Sequence, residues 1–520
     1  MMNLTRVFFS QSFVEWLKWF LCIPGVEYLI DEWSKSLTTN ENEIIDYCHS
    51  KAWANFQSDS QNNLRKQYPH LDLAFTLFVD WFNPLGNKCS GKQVSLGVLA
   101  LTCLNLPPSM RYKPQYTYLA GIIPAPNQPS MVTMNNVLKP LVNELIELNK
   151  TIRIQTYQEP EGQNVRVKLQ ALLGDVVATH KVAGFTSHSG HKFCSWCEVI
   201  KADIAKMEIR KPRNKNSTKA LAMRWYDEQQ TTQQKLLVRK MGVRWSELNW
   251  LPYWDPVKCV VLGILHNWYE GVLQHHFRFR WGINGLQENL LKGLTDTETT
   301  DASKETESDK TVISTRGILS DETKNKLISS IMEVVAPSRL TPMPKGLGTN
   351  RNGKLKASEW HSLFAIHLPL SFVDSLLGWD SFEEDLEKYH DVIDNLCSLV
   401  QCTRIVSSRV VKEGDCKTFE EEYLNYTVTS RKVFPNMKTL PNHHYSLHIP
   451  EQLKWWGPIT GVSEFPGERL VGLLQKFKSN LTSRHVGVSI MNCFCQLQRL
   501  EIQNDLNFLD ESKRAEVKKQ

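Results

Sequence analysis

The chain has 520 residues, 41% of them hydrophobic, and 61 basic against 55 acidic side chains leave a net charge of +6. At roughly 150 residues per domain this length predicts two to four domains, and the 16 Trp, 21 Phe and 14 Tyr residues exclude a disordered chain or a small disulfide scaffold. Isolated cysteines in apolar runs and the lack of a stretch of about 20 uncharged residues predict a soluble intracellular protein without a membrane partner.

The first half of the chain predicts an α/β segment. Between Phe13 and Leu37 apolar residues recur every three to four positions and Pro24 interrupts them, which indicates two short helices around a turn. Apolar, β-branched and aromatic runs then predict three strands in close succession, a helix and a further strand. These lie at Leu73–Phe82, 94–107, 116–126, Val132–Leu148 and Val165–Val176.

The second half is predicted to be mostly helical. Helical spacing of apolar residues recurs at Val257–Phe279, Lys324–Val335, Ala357–Leu377, Phe382–Leu399 and in the tail after His443. The polar, acidic stretch Thr295–Thr311 has almost no apolar side chains, so we expect a solvated loop there. An α/β segment followed by a long helical segment is the layout of a nuclease core with a large helical insertion.

Two aspartates stand at the ends of predicted strands. Asp80 ends the first strand and Asp175 ends the last. A carboxylate there is costly to ionise unless it is paired or bound to metal, and two of them together suit Mg²⁺ or Mn²⁺. The alternative for Asp80 is a turn-capping residue. Glu468 begins a predicted helix after Pro466 and Gly467, but an acid at that position is commonplace.

A second constellation is the stretch His188–Cys197, which ends in a CxxC pair. Cys194 and Cys197 with His191 offer the thiolate and imidazole ligands that tetrahedral Zn²⁺ prefers, and His266 is a candidate for a distant fourth ligand. Two reduced surface thiols are the alternative, and a redox pair is disfavoured because no thioredoxin-like pattern surrounds it. We expect His443, His444 and His448 to be hydrogen-bonded core histidines.

A basic run follows the CxxC pair. Residues 201–244 contain 12 basic and 4 acidic side chains, a local charge of +8, with Trp225 and Trp245 interleaved. Such a run suits a surface that follows phosphates, with tryptophans as stacking platforms, although a solvated loop would look the same. The candidate nucleic-acid contacts are Lys211, Arg213, Lys215, Arg239 and Lys240.

Six blocks in order along the chain carry a family resemblance. They are LFVDWFNPLGNK, NLPPSMRYK, LAGIIPAPNQPS, GDVVATHKVAGFTSHSGHKFCSWC, WDPVKCVVLGILHNWYEGVLQHHFRFRWGI and GPITGVSEFPGERLVGLLQKFKSN. Together, from about Pro24 to Arg499, they resemble fungal transposases of the CACTA (En/Spm-like) group.

The resemblance implies a DDE transposase with a ribonuclease-H-like core that cuts element ends and joins them to target DNA. It implies catalytic acids at Asp80, Asp175 and Glu468, with Glu359 and Asp255 as rivals for the third position. It also implies catalytic Mg²⁺ or Mn²⁺, structural Zn²⁺, double-stranded DNA as partner and a location in the nucleus. A homo-oligomer is a further expectation.

The resemblance also suggests how the chain is divided. We expect an N-terminal helical segment (1–70), the first part of the core (71–186), a zinc knuckle with the basic segment and helical insertion (187–440), and a C-terminal part that completes the core (441–520). Relatives usually carry a longer N-terminal region, often with a further zinc-binding segment, so element-end recognition is expected to be missing. The alternative to an active enzyme is therefore a catalytically inactive or domesticated DNA-binding derivative.

Overall fold

A computed structural model describes ten stretches of the chain. They are residues 8–36, 42–58, 70–84, 95–124, 128–283, 319–338, 340–349, 355–377, 382–477 and 486–517. The predicted loop Thr295–Thr311 lies outside the described residues.

A six-stranded sheet forms the centre of the α/β part. Its order is β1-β5-β4-β3-β7-β6, and β3, β4 and β5, the three strands predicted in close succession, form an antiparallel meander. β7 then pairs with β3 in parallel, while β1 and β6 are short antiparallel edges. The strands are β1 (Phe9–Ser10), β3 (His70–Phe82), β4 (Leu96–Cys103), β5 (Thr117–Ile123), β6 (Ile152–Ile154) and β7 (Gln163–Leu173), and a separate ribbon pairs β2 (Glu43–Ile44) with β8 (Val411–Lys412).

Helices of the N-terminal half connect or flank this sheet. α5 leads from β5 towards β6 and β7, and α6 follows β7 directly. Pro24 separates α1 from α2, as predicted, because a proline cannot donate the backbone hydrogen bond that a continuing helix needs. The bounds are α1 (Phe13–Leu21), α2 (Val26–Ser36), α3 (Lys51–Ser58), α4 (Pro108–Arg111), α5 (Met131–Asn149) and α6 (Val176–Ala183).

The region after α6 is mostly helical, as predicted. The bounds are α7 (Lys215–Asp227), α8 (Thr231–Met241), α9 (Leu265–Leu273 and His276–Arg280, both wide π-type turns), α10 (Asp321–Glu333), α11 (Ala357–Ser362, continued by a π-type turn Leu363–His367), α12 (Leu368–Leu377), α13 (Phe382–Ser407), α14 (Asp415–Val433), α15 (Pro441–Ser446), α16 (Ile449–Trp456), α17 (Phe465–Leu474) and α18 (Val486–Val517). No helix of the described stretches is both long and apolar enough to cross a bilayer.

One predicted helix begins later than its pattern suggests. Helical structure was expected from Val257, but α9 starts at Leu265. Residues 256–259 form a turn, and the backbone is extended at Val260, where Val261 N–H donates to Leu172 O and Leu172 N–H donates to Cys259 O. These bonds place Val260 parallel to the end of β7. A short apolar run can serve either helix or buried strand, so periodicity alone could not separate the two.

Alternating residues of the central strands pack into two different hydrophobic cores on opposite faces of the sheet. On β3, Phe75 and Leu77 pack into one core together with α1 and α5. Phe78 and Phe82 face the opposite core, which contains residues of α9, α14 and α17. Because side chains alternate along a strand, Asp80 lies on the same face as Phe78 and Phe82. The sheet thus directs Asp80 towards the C-terminal helices.

Candidate active site and metal centre

Asp80 lies within β3, two residues before its end, and Asp175 comes two residues after the end of the neighbouring parallel strand β7. In the register of β3 and β7, Phe78 is opposite Leu173, so the two aspartates come two residues later on each chain segment. Gly174 makes this approach possible: its φ is +147°, and a Cβ there would lie 2.2 Å from Val79 O. A side chain at residue 174 would therefore separate the two strand ends.

Asp175 also caps the helix that follows it. Its Oδ1 accepts the Ala178 backbone N–H at 2.5 Å, and its carbonyl oxygen accepts the Thr179 hydroxyl at 3.0 Å. An aspartate is a preferred N-cap because it satisfies a helix donor that has no partner within the helix. This contact fixes one carboxylate oxygen of Asp175 at the start of α6.

Glu468 reaches the same site from α17. Gly467 rests directly on β3, since a Cβ at that position would lie 2.1 Å from the Phe78 ring. Glu468 is next in sequence, on the helix turn that faces Asp80. The structure thus brings together the three acids that the sequence analysis selected, although 293 residues separate Asp175 from Glu468.

The pKa of Asp80 is raised within this cluster of acids. Burial raises the pKa of Asp80 to about 7, the negative charges of Glu468 and then Asp175 add to the rise, and the Trp81 N–H and His266 oppose it. The Trp81 N–H bond to Asp80 Oδ1 is 2.7 Å long. Like charges close together disfavour ionisation, and a bound cation removes that penalty.

His266 joins this carboxylate cluster and not the cysteines. Its Nε2 lies 3.3 Å from Glu468 Oε1, and its Nδ1 lies 3.1 Å from Glu270 Oε2, one turn further along α9. Burial alone would lower the pKa of His266, but the hydrogen bonds to Glu270 and Glu468 raise it to about 11. This pKa favours the protonated imidazole, whose Nε2 then donates to the Glu468 carboxylate.

Glu464 is a buried acid that the sequence analysis did not select. It is 1% exposed, its Oε2 accepts the Leu265 N–H at 3.2 Å, and its carboxyl group occupies the space beside Gly263. Burial raises the pKa of Glu464 to about 7. Its position one helical turn before Glu468 was the available signal, since residues four apart share a helix face.

The two rival acids have other roles. Glu359 Oε2 accepts the Lys356 N–H at 2.6 Å, at the start of α11. Asp255 Oδ1 accepts the N–H groups of Val257 and Lys258 and so closes a turn. The acids that mainly raise the pKa of Asp80 are Glu468 and Asp175, not these two.

The CxxC pair meets two histidines from the C-terminal part. Cys194 Sγ lies 3.4 Å from His448 Nε2, and Cys197 Sγ lies 3.3 Å from His444 Nε2. All four ligand atoms lie within 4.8 Å of one another, and all four residues are buried. The structure thus places in this group His444 and His448, which we had expected to be ordinary core histidines. His191 is exposed outside the group, and His266 is at the carboxylates.

The four residues fit a zinc ion. Zn–S bonds of about 2.3 Å and Zn–N bonds of about 2.0–2.1 Å in a tetrahedron place sulfur and nitrogen about 3.5 Å apart. The two measured distances, 3.4 and 3.3 Å, agree with that value. Hydrogen bonds from Cys194, His444 and His448 lower the pKa of Cys197, so a thiolate is favoured where a metal would need it. The group therefore fits structural zinc both in the types of its donors and in their spacing.

Two of the five predicted nucleic-acid contacts are structural. Arg213 is 7% exposed, and its guanidinium donates to the carbonyl oxygens of Cys194, Cys197 and Met241. The prediction that Arg213 binds phosphate is therefore wrong, because the side chain is buried and its N–H groups donate to these backbone carbonyl groups. Lys215 Nζ donates to Pro252 O and Tyr253 O. Lys211, Arg239 and Lys240 are exposed and stay candidates.

Comparison with known proteins relates part of the chain to a family. No curated protein matches the chain. Residues 42–232, which include β3 to β7, Asp80, Asp175, the cysteine pair and α7, match the model of a family described as Transposase family tnp2, and this match supports a transposase.

Proposed function

We propose that this protein is a DDE transposase of the CACTA type, which cleaves DNA strands and joins them to target DNA with the help of divalent cations. The observation that carries the proposal is the convergence of Asp80, Asp175 and Glu468 from two strand ends and a helix start. The family match supports the transposase part, and the acid cluster supplies chemistry that suits it. The proposed site of action is the nucleus.

The strand order supports a ribonuclease-H-like core. Three antiparallel strands are followed by a crossover through α5 to a strand parallel to the first, and α6 then leads on to the extended segment at Val260, parallel to β7. We propose that residues 71–186 form the first part of this core and residues 441–520 complete it. Residues 187–440 would then be the insertion, and residues 1–70 an N-terminal addition.

The acids are suited to hold two Mg²⁺ or Mn²⁺ ions, because carboxylate oxygens are the ligands these ions prefer. Bound at Asp80, Asp175 and Glu468, the ions would lower the pKa of an attacking hydroxyl and stabilise the leaving oxygen. His266 orients Glu468 through its hydrogen bond, and Glu270 holds His266 from the other side. Glu464 fixes the start of α9, which carries His266, through the Leu265 N–H.

Lys181 supplies a cation for the substrate beside these acids. It lies on α6, two turns after Asp175, and its Nζ is 4.7 Å from the centre of the Trp81 ring. Asp175 acts on Lys181 electrostatically, so the two groups share one part of the surface. We propose that Lys181 contacts a phosphate next to the scissile bond and that double-stranded DNA, both element ends and target, is the substrate. Self-association of the chain on two DNA ends would accompany the reaction.

The Cys₂His₂ group would hold structural zinc. Its cysteines follow α6, which Asp175 begins, and its histidines precede α17, which carries Glu468. Zinc there would join the two segments that supply the second and third acids. Its role is positional, because all four ligand positions come from the protein and none remains open for substrate.

A strand-cleavage assay tests the proposal. Full-length protein is incubated with DNA that carries the element's own terminal inverted repeats, with Mg²⁺ or Mn²⁺ and with EDTA. We expect cation-dependent cleavage that Asp80→Asn, Asp175→Asn and Glu468→Gln each reduce by at least about 100-fold, because each removes a metal ligand. The matched control is Glu359→Gln, which should cleave like the wild type. Equal activity in the three variants would refute the catalytic assignment.

A further inference from the structure

An exposed aromatic corner lies within the basic segment. Tyr226, on the last turn of α7, and Trp250 are 47% and 44% exposed, whereas Trp245 between them is 5% exposed. Ring centres of Tyr226 and Trp245 are 5.0 Å apart, and those of Trp245 and Trp250 are 4.9 Å apart. Trp245 therefore forms the buried base of the corner, and the other two rings are its exposed sides.

The two exposed rings do not cover each other. Tyr226 and Trp250 meet at 86°, with centres 6.3 Å apart. A flat aromatic group that stacks on one ring would present its edge to the other, and offset-stacked and edge-to-face contacts are the two arrangements that aromatic rings prefer. The corner thus has the shape that receives one planar ring.

The fold holds this corner in place. Lys219 Nζ donates to Asn249 O at 3.0 Å and to Leu251 O at 2.8 Å, the carbonyl groups on either side of Trp250. Four residues earlier on α7, Lys215 secures the next segment in the same way. Two lysines of a basic segment are thus used to fix an exposed tryptophan beside Tyr226.

The basic side chains around the aromatic corner indicate which kind of ligand binds to it. Arg224 on α7 and Lys235, Arg239 and Lys240 on α8 are exposed, and residues 201–244 carry a charge of +8 even with Asp227 and Glu228 beside Tyr226. A polyanion with planar rings is complementary to such a surface. A methylated lysine is the other ligand of aromatic clusters, but cations repel it, and rings about 5 Å apart leave no space between them for an ammonium group.

We propose that Tyr226 and Trp250 bind an unpaired base of DNA by stacking, a role that rests on the proposed function because it assigns part of the same substrate. In a paired duplex the base faces are covered, so this corner selects DNA that is single-stranded, frayed or flipped out. The bound base would belong to the DNA flank that runs over α7 and α8.

The position of the stacked base along the DNA can be estimated from the length of α6. Asp175 begins this eight-residue helix, which is about 12 Å long. At its other end Ser246 Oγ donates to Val182 O, and Trp245 adjoins that contact. The corner is thus on the order of 12–20 Å from Asp175, and a DNA strand advances about 3.4 Å per nucleotide. The stacked base lies about four to six nucleotides from the scissile phosphate.

The stacking proposal is tested by measuring DNA binding under conditions in which the DNA is not cleaved. Fluorescence anisotropy in EDTA compares a blunt duplex with the same duplex carrying a single-stranded thymidine extension. We expect the full-length protein to bind the extended DNA more tightly, and Trp250→Ala and Tyr226→Ala to weaken that binding about 5- to 100-fold while leaving blunt-duplex binding nearly unchanged. Trp250→Phe should retain the preference, and Tyr157→Ala, which removes an aromatic side chain that is 56% exposed outside this segment, is the matched control.

A fluorescent base locates the contact. The analogue 2-aminopurine, placed singly along the extension, should be quenched by stacking at one position in the wild type and recover its fluorescence in Trp250→Ala. Equal affinity of Trp250→Ala and wild type for extended DNA would overturn the proposal, as would tight binding of a trimethyl-lysine peptide that Trp250→Ala abolishes. Asp80→Asn should keep the preference, so loss of cleavage and loss of stacking are separate results.

Discussion

Cys194 and His448 are 254 residues apart in the sequence, yet Sγ of the first lies 3.4 Å from Nε2 of the second. With Cys197 and His444 they offer four donors of the types that zinc selects, all buried. A buried thiolate without a cation is costly, which is a physical reason for a metal at this position.

We predict one zinc ion per chain. His444→Ala and Cys197→Ser should each remove it and lower the free energy of unfolding by at least about 3 kcal/mol, because the ligands are enclosed in the fold. Elemental analysis and chemical denaturation of the purified variants measure both effects. His191→Ala is the control, since His191 is exposed outside the group, and its zinc content should equal that of the wild type. Zinc retained in His444→Ala would contradict the assignment.

Gly174→Ala should damage both stability and activity. The glycine has φ +147°, and the added Cβ would lie 2.2 Å from Val79 O, a backbone atom that cannot move aside cheaply. We expect a loss of about 2–4 kcal/mol in the free energy of unfolding and a lower cleavage rate, because Asp175 follows directly. Denaturant unfolding and the cleavage assay test this.

The matched control for Gly174 is Gly472→Ala. Gly472 lies within α17, and no atom lies within 4 Å of the place its Cβ would take. Alanine favours a helix interior over glycine by roughly 0.5–1 kcal/mol, so this variant should be as stable as the wild type or slightly more so. If Gly174→Ala were as stable as the wild type, the claim that a side chain at residue 174 disrupts the contact between the two strand ends would be wrong.

The third prediction concerns pH and the acid cluster. The pKa of Asp80 is about 7 in the folded protein against an ordinary 3.8, so the folded state binds more protons than the unfolded state between these values. The free energy of unfolding of the metal-free protein therefore falls as pH rises through that window. Asp80→Asn removes this loss and should be more stable than the wild type at pH 8, on the order of 2 kcal/mol, with a smaller difference at pH 5.

Thermal unfolding in EDTA at several pH values measures this effect. Adding Mg²⁺ at pH 8 should stabilise the wild type more than Asp80→Asn, because the cation compensates the charge that the variant lacks. Glu359→Gln is the control and should show the pH dependence of the wild type. A difference between Asp80→Asn and wild type that did not change with pH would contradict the electrostatic account.

The central strands, and the positions of Asp80 and Asp175 near their ends, could be predicted because their signals are local. Long apolar runs are typical of buried strands, and Asp80 and Asp175 were selected as the polar residues that end such runs. Glu468 needed the family resemblance, since an acid in the first turn of a helix is common. Which side of β3 faces α17 follows from alternation once the register is known, but sequence alone does not supply the register.

The remaining ligands and contacts depend on the tertiary structure. His444 and His448 have a spacing of four, which is compatible with a shared ligand site, but nothing local links them to cysteines some 250 residues away. Arg213 belongs to a basic run and looked like a phosphate contact. Only the tertiary structure shows that its guanidinium donates to the carbonyl oxygens of Cys194 and Cys197.

The contact between Cys197 and His444 has a consequence for how the segment between these two residues can change in length. The 247-residue separation makes everything between them a loop whose two ends are joined at its base. The entropy cost of closing a flexible loop grows only with the logarithm of its length, by about 0.6 kcal/mol for each doubling. Exposed connections between the helices of this span could therefore be lengthened or shortened at small entropic cost, while the packed helices such as α9 hold Glu468 in place.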